Sequence, residues 1–105
     1  MAEAISAASF DSVIANSDRA VVVDFWASWC GPCRALGPVI EAVVGGMSDQ
    51  AVLYKCNVDD EAELAQRFQI VSIPTIMVFK GGECVRTLVG NMPRADLEAE
   101  IRACL

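Results

Sequence analysis

The 105-residue chain has no histidine at all. A c-type haem site needs a histidine directly after the second cysteine of a C-x-x-C motif, and Arg34 stands at that position. Zinc asks for four ligands, and without histidine the set would have to come from cysteines that form no second closely spaced pair. No metal site is expected. Positive charge is also scarce, with 8 Lys and Arg against 14 Asp and Glu and a net charge of -6. That balance argues against nucleic acid and against anionic membrane surfaces as partners, and it serves to keep the chain soluble. No apolar run approaches the roughly 18 residues that a membrane span requires. The N-terminal stretch M-A-E-A-I-S-A-A-S-F carries Glu3 and no basic leader region. Neither a membrane segment nor a signal peptide is expected. Repeats, linkers and low-complexity tracts are missing too, so residues 1–105 read as a single domain, and the 54% hydrophobic content suffices for a core.

What the chain does have is five cysteines. Two of them fall in Trp29-Cys30-Gly31-Pro32-Cys33, where an apolar strand gives way to a helix. The strand is Ala20–Ala27, A-V-V-V-D-F-W-A, β-branched and almost unbroken in its apolarity. A strand of that kind is covered on both faces, which implies a parallel or mixed sheet in an α/β domain. After the motif, Leu36, Val39, Ile40 and Val43 recur at helical spacing until Gly45-Gly46 stops the helix. The two cysteines therefore sit in the first helical turn, three residues apart and on one face, at a separation that a disulfide tolerates. Cys30 at the N-terminal edge meets unpaired backbone N–H groups and the positive end of the helix dipole, so its thiolate is favoured. Cys33, one turn in, is expected to be more buried. This asymmetry assigns Cys30 as the nucleophile that attacks a substrate disulfide and Cys33 as the thiol that resolves the mixed disulfide. Pro32 suits the first turn, where its missing N–H costs nothing. A purely structural role is disfavoured, because closing so small a loop removes little entropy from the unfolded chain.

Asp24 is a carboxylate in the middle of the apolar strand. Alternation puts it on one face with Val22 and Trp26, under the helix that carries Cys33. A buried carboxylate should have a raised pKa and can act as general base or acid for Cys33. The strand Ala51–Val58 contains Lys55, the charge placed to approach Asp24 from a neighbouring strand. Elsewhere, Ala4–Ala7 reads as a short edge strand, and Ser9 as the cap of a helix with Phe10, Val13 and Ile14 on its apolar stripe. Asp59 or Asp60 is expected to cap the helix over residues 61–68. Gly81-Gly82 reads as a two-residue turn joining antiparallel strands Thr75–Lys80 and Glu83–Val89. A last helix is expected from about Pro93, burying Leu97, Ile101, Cys104 and Leu105. Cys56, Cys84 and Cys104 read as small buried hydrophobes. An odd number of cysteines without framework spacing fits a reducing compartment, and a cytoplasmic location is expected.

The stretches D-F-W-A-S-W-C-G-P-C-R, K-C-N-V-D, S-I-P-T and L-V-G together make the chain resemble the thioredoxin family over essentially its whole length. The resemblance implies a central mixed five-stranded sheet flanked by four helices, dithiol–disulfide exchange with disulfide-containing target proteins, and regeneration by a thioredoxin reductase. It implies no cofactor beyond the disulfide within the chain, and a monomer is expected. The aspartate that matches Asp24 in the family has the proton-transfer role. S-I-P-T implies a cis Ile73-Pro74 bond facing the cysteines, with Trp29, Gly31, Pro32, Ile73, Pro74 and Gly90 lining a groove for an extended substrate segment. Arg34, Ser72 and Asn91 depart from the family's frequent residues, which bears on partner preference rather than on chemistry. Two other readings stand beside this one: an interaction or scaffold subunit that keeps the fold without using the thiols, and a periplasmic oxidant or isomerase. The intact Cys-Gly-Pro-Cys and Asp24 disfavour the first, and the acidic N-terminus disfavours the second.

Overall fold

Alternation along one strand sets the architecture. In the computed structural model, which describes residues 2–105, Ala20–Trp26 forms the central strand β2. To keep chain order, the elements are β1 (Glu3–Ala4), α1 (Phe10–Asn16), β2, α2 (Gly31–Gly45), β3 (Ala51–Asn57), α3 (Ala62–Arg67), β4 (Thr75–Lys80), β5 (Glu83–Val89) and α4 (Arg94–Arg102). Ala20 and Val22 point to one face and pack with Leu36 and Ile40 of α2 and with Leu97 and Ile101 of α4. Val21, Val23 and Phe25 point to the other face, against Phe10 and Ile14 of α1 and Leu64 of α3. Each of these side chains is almost wholly removed from water, which is worth about 1.5 to 3 kcal/mol for a large aliphatic or aromatic group. The sheet has the order β1-β3-β2-β4-β5. β2 runs parallel to β3 and antiparallel to β4, so the sheet is mixed, with two helices on each side. Fold class and element order agree with the sequence reading.

Local chemistry explains the boundaries. Gly81 and Gly82 both take positive φ, +61° and +84°, as a tight turn between twisted antiparallel strands demands. α2 runs unbroken through Pro38 to Gly45. Where expectations differ, side chains are engaged elsewhere. Ser9 holds the N-cap position of α1, but its hydroxyl accepts from the Ser6 N–H at 3.1 Å instead of capping the helix. This exchange turns the chain away from the sheet after the Ile5 N–H bonds to the Lys55 carbonyl, so β1 covers Glu3–Ala4 rather than Ala4–Ala7. Glu61, not Asp59 or Asp60, is the N-cap of α3, and its carboxylate accepts from the Ala7 N–H at 2.8 Å.

The free cysteines also divide differently from the sequence reading. Cys56 is fully buried, and burial pushes its thiol up to about 12. Cys104 lies past the end of α4 and is partly covered. Cys84 is exposed, because β5 is an outer strand on which only Leu88 is buried. Apolar composition is a poor guide on such a strand, since the sheet offers it no second neighbour.

Two outcomes follow. Ile40→Ala, at a fully buried position between sheet and α2, should cost about 2 to 5 kcal/mol in denaturant unfolding. With the disulfide intact, an alkylating reagent should modify Cys84 quickly, Cys104 more slowly and Cys56 only on unfolding, as peptide mass mapping over time would show.

Candidate active site

β2 delivers the chain to the site and α2 shapes it. After Trp26 the chain turns, with the Cys30 N–H donating to the Ala27 carbonyl at 3.1 Å. Cys30 is the N-cap of α2 in extended conformation (φ -91°, ψ 107°), and Pro32 follows in the first turn. The cap is made by sulfur: the Cys33 N–H donates to Cys30 Sγ at 3.2 Å. Cys30 and Cys33 are joined as a disulfide with Cα atoms 5.3 Å apart, well inside the range that bridging tolerates. Cys33 is 1% exposed and Cys30 6%, so any partner reaches Cys30 first.

Around this pair lie residues from three further segments. The Ile73-Pro74 bond is cis, and the Ile73 carbonyl oxygen lies 3.9 Å from Cys30 Sγ. Ile73, Trp26 and Val58 pack on the cluster of Ala27, Cys30 and Cys33. Gly31 and Pro32 are exposed, while Pro74 is buried behind Ile73. Gly90 joins through the backbone, donating its N–H to the Pro74 carbonyl at 2.8 Å with φ +87°, a conformation that suits glycine. Trp29 is 69% exposed, yet its ring is fixed because Nε1 donates to Asp59 Oδ2 at 2.8 Å. Asp59 and Val58 are site residues that the sequence reading did not identify. Their signal was the parallel register of β2 and β3, which sets Trp26 beside Asn57 and so brings the loops after both strands together.

Beneath the pair, Asp24 is fully buried on the sheet face that α2 covers. Register places it opposite Lys55 on β3 and Ile76 on β4. Lys55 Nζ lies 3.1 Å from Asp24 Oδ2 and 4.8 Å from the centre of the Trp26 ring. By distance this is an ion pair, yet neither carboxylate oxygen receives an aligned hydrogen bond. Burial holds the Asp24 carboxyl above the ordinary carboxylate range; Lys55 pulls it back, and Glu41 adds a smaller upward push. Desolvation wins because the charge lacks the hydrogen bonds that would replace water. The arrangement combines a sulfur at a helix N-terminus, a still more covered sulfur one turn away and a buried carboxyl on the sheet face under the same helix. Among the described residues, no group of three or more Cys, Asp or Glu side chains is placed to hold a metal ion.

Comparison with known proteins agrees with this geometry. The family model described as Thioredoxin matches residues 2–103. A thioredoxin of Alicyclobacillus acidocaldarius subsp. acidocaldarius is 45% identical over 94 residues, 90% of this chain and 89% of that protein. A thioredoxin of Chlorobaculum thiosulfatiphilum is 48% identical over 93 residues, covering 89% of this chain and 86% of its own. A bifunctional thioredoxin reductase/thioredoxin of Mycobacterium leprae (strain TN) is 42% identical over 93 residues, 89% of this chain but only 20% of that longer protein. With the whole fold, the disulfide at the head of α2 and matches of this extent in hand, the chain belongs to the thioredoxin family.

Proposed function

We propose that this thiol–disulfide oxidoreductase reduces disulfides of other proteins, with Cys30 as attacking thiolate, Cys33 as resolving thiol and Asp24 as the group that carries the proton. In the dithiol form, Cys30 S⁻ attacks one sulfur of a target disulfide, and the other target sulfur leaves as thiolate. Cys33 passes its proton toward Asp24 and attacks Cys30 Sγ, which breaks the mixed disulfide and releases the second target thiolate. Two electrons pass to the target, two protons complete its thiols, and Cys30–Cys33 is left oxidised. The observation that carries this reading is the asymmetry of the pair: the Cys33 N–H points at Cys30 Sγ, and Cys30 is the less covered of the two. Exposed Trp29, Gly31 and Pro32, with the Ile73 carbonyl beside Cys30, supply a groove in which an extended segment pairs by backbone. Behind it the Gly90 N–H donates to the neighbouring Pro74 carbonyl and ties the two segments together. Lys55 tempers the charge on Asp24.

The dithiol is restored by a dithiol of a thioredoxin reductase, a partnership supported by the relative whose name joins both activities in one chain. The chain works as one domain, residues 1–105, as a monomer, and with its own disulfide as the sole redox group. A reducing cytoplasm suits the three unpaired cysteines, and no helix among the described residues is long and apolar enough to cross a membrane.

Two tests follow. Cys33→Ser should accumulate mixed disulfides with oxidised target proteins, visible on non-reducing gels, while Cys30→Ser accumulates none; equal trapping by both would reverse the assignment. Asp24→Ala separates stability from rate. Because the folded state raises the Asp24 pKa, it binds a proton that the unfolded chain has already released, so this group lowers stability as pH rises through the ordinary carboxylate value and levels off above the folded pKa. Removing the carboxyl should therefore stabilise the protein near neutral pH, yet slow release of target from the mixed disulfide by on the order of 100-fold. Lower stability at neutral pH with unchanged release would contradict it.

A further inference from the structure

We propose that Gly37 is a positioning residue for the Asp24–Lys55 pair: its missing side chain leaves, on the sheet-facing side of α2, the space through which the Lys55 ammonium reaches the buried carboxylate. Gly37 is buried inside α2, and a Cβ built there would lie 3.3 Å from Lys55 Nζ, with no other atom within 4 Å beyond its chain neighbours and the helix's own backbone. Cβ atoms at Gly31 and Gly45, the other glycines of the helix, would meet nothing within 4 Å. Lys55 Nζ is thus held among three neighbours: the Asp24 carboxylate at 3.1 Å, the Trp26 ring at 4.8 Å and the bare backbone of Gly37. Glycine in a helix interior weakens the helix relative to alanine, so its presence here calls for something that alanine would not allow. The close approach of an ammonium group is that thing. A methyl group at 3.3 Å forces the flexible end of Lys55 to give way, and the attraction that steadies the Asp24 charge weakens.

The charged groups that bear on Asp24 are Lys55 from β3, in register with it, and Glu41 from α2, while β4 contributes uncharged Ile76 and Cys56 of β3 packs on the opposite face of the sheet. Lys55 is the sole cation among them. A retreat of about half an ångström from 3.1 Å, at an effective dielectric constant near 20, changes the proton equilibrium of the carboxyl about threefold. The inference rests on the reading of Asp24 as proton carrier, but its test reads the carboxyl directly.

The Asp24 carboxyl carbon is followed by NMR against pH in the parent protein, Gly37→Ala, Lys55→Met and the double variant, with thermal unfolding and target release measured in parallel. Gly37→Ala should move the Asp24 midpoint to higher pH, by about the threefold change in equilibrium given above. Lys55→Met should move it further, and adding Gly37→Ala to Lys55→Met should move it no more. A Gly37→Ala midpoint equal to the parent's overturns the proposal. So does a Gly37→Ala shift that persists in the Lys55→Met background, since the glycine would then act by a route other than the Lys55 ammonium. If the midpoint moves as expected while the pH profile of target release stays with the parent, the positioning stands and the proton-carrier role of Asp24 is what fails.

Discussion

The bond from the Cys33 N–H to Cys30 Sγ is the contact on which the rest of the structure depends. A helix begins with backbone N–H groups that have no partner inside it, and serine, threonine, aspartate or asparagine commonly accepts one of them. Here the cap is a sulfur, and a negative sulfur is a better acceptor than a disulfide or thiol sulfur. The helix terminus therefore favours the thiolate, the state that leads a reductive attack. Everything upstream serves to place that terminus. β2 is buried on both faces, α2 is fastened to it through Leu36, Ile40, Val43 and Val44, and the turn of Ala27–Trp29 leaves Cys30 with 6% of its area exposed against 1% for Cys33.

The same rigidity creates an electrostatic conflict in the core. A carboxyl with no aligned hydrogen bond lies in a strand that otherwise buries valine and phenylalanine, and its single counter-charge approaches from one side. Breaking a buried pair is costly, while replacing it by apolar groups is often neutral or favourable. Stability therefore gives no reason to keep Asp24, which leaves the proton role proposed for it as the reason. Lys55 is 19% exposed, so solvent still reaches the cation's end of the pair while the carboxyl is wholly covered.

Some of this was written plainly in the sequence. An apolar strand running into Cys-Gly-Pro-Cys, Gly81-Gly82 between two β-branched runs, and Asp24 and Lys55 at matching places in two strands were visible because they depend on local pattern and on alternation. The remainder depended on register. Asp59 reads as a helix cap by its neighbours, and only the parallel pairing of β2 with β3 brings it under the Trp29 indole. Cys84 reads as core by composition, and only the strand order shows it on an outer strand. Gly37 stands inside the helical pattern with no signal of its own, and only the structure shows that a Cβ there would meet the Lys55 ammonium.

The central claim is that α2 stabilises negative charge on Cys30 and not on Cys33. The most direct measurement follows thiolate ultraviolet absorbance against pH in the reduced protein, in Cys33→Ser and in Cys30→Ser, with Cys56, Cys84 and Cys104 replaced by alanine in all three. Cys33→Ser should titrate in the window of roughly 3.5 to 7.5 that helix-terminal thiols occupy, and Cys30→Ser at or above the ordinary value of about 8.5. If the Cys30 thiol titrates at the ordinary value, or if the Cys33 thiol is the more acidic of the two, the helix terminus does not select the nucleophile and the account is wrong.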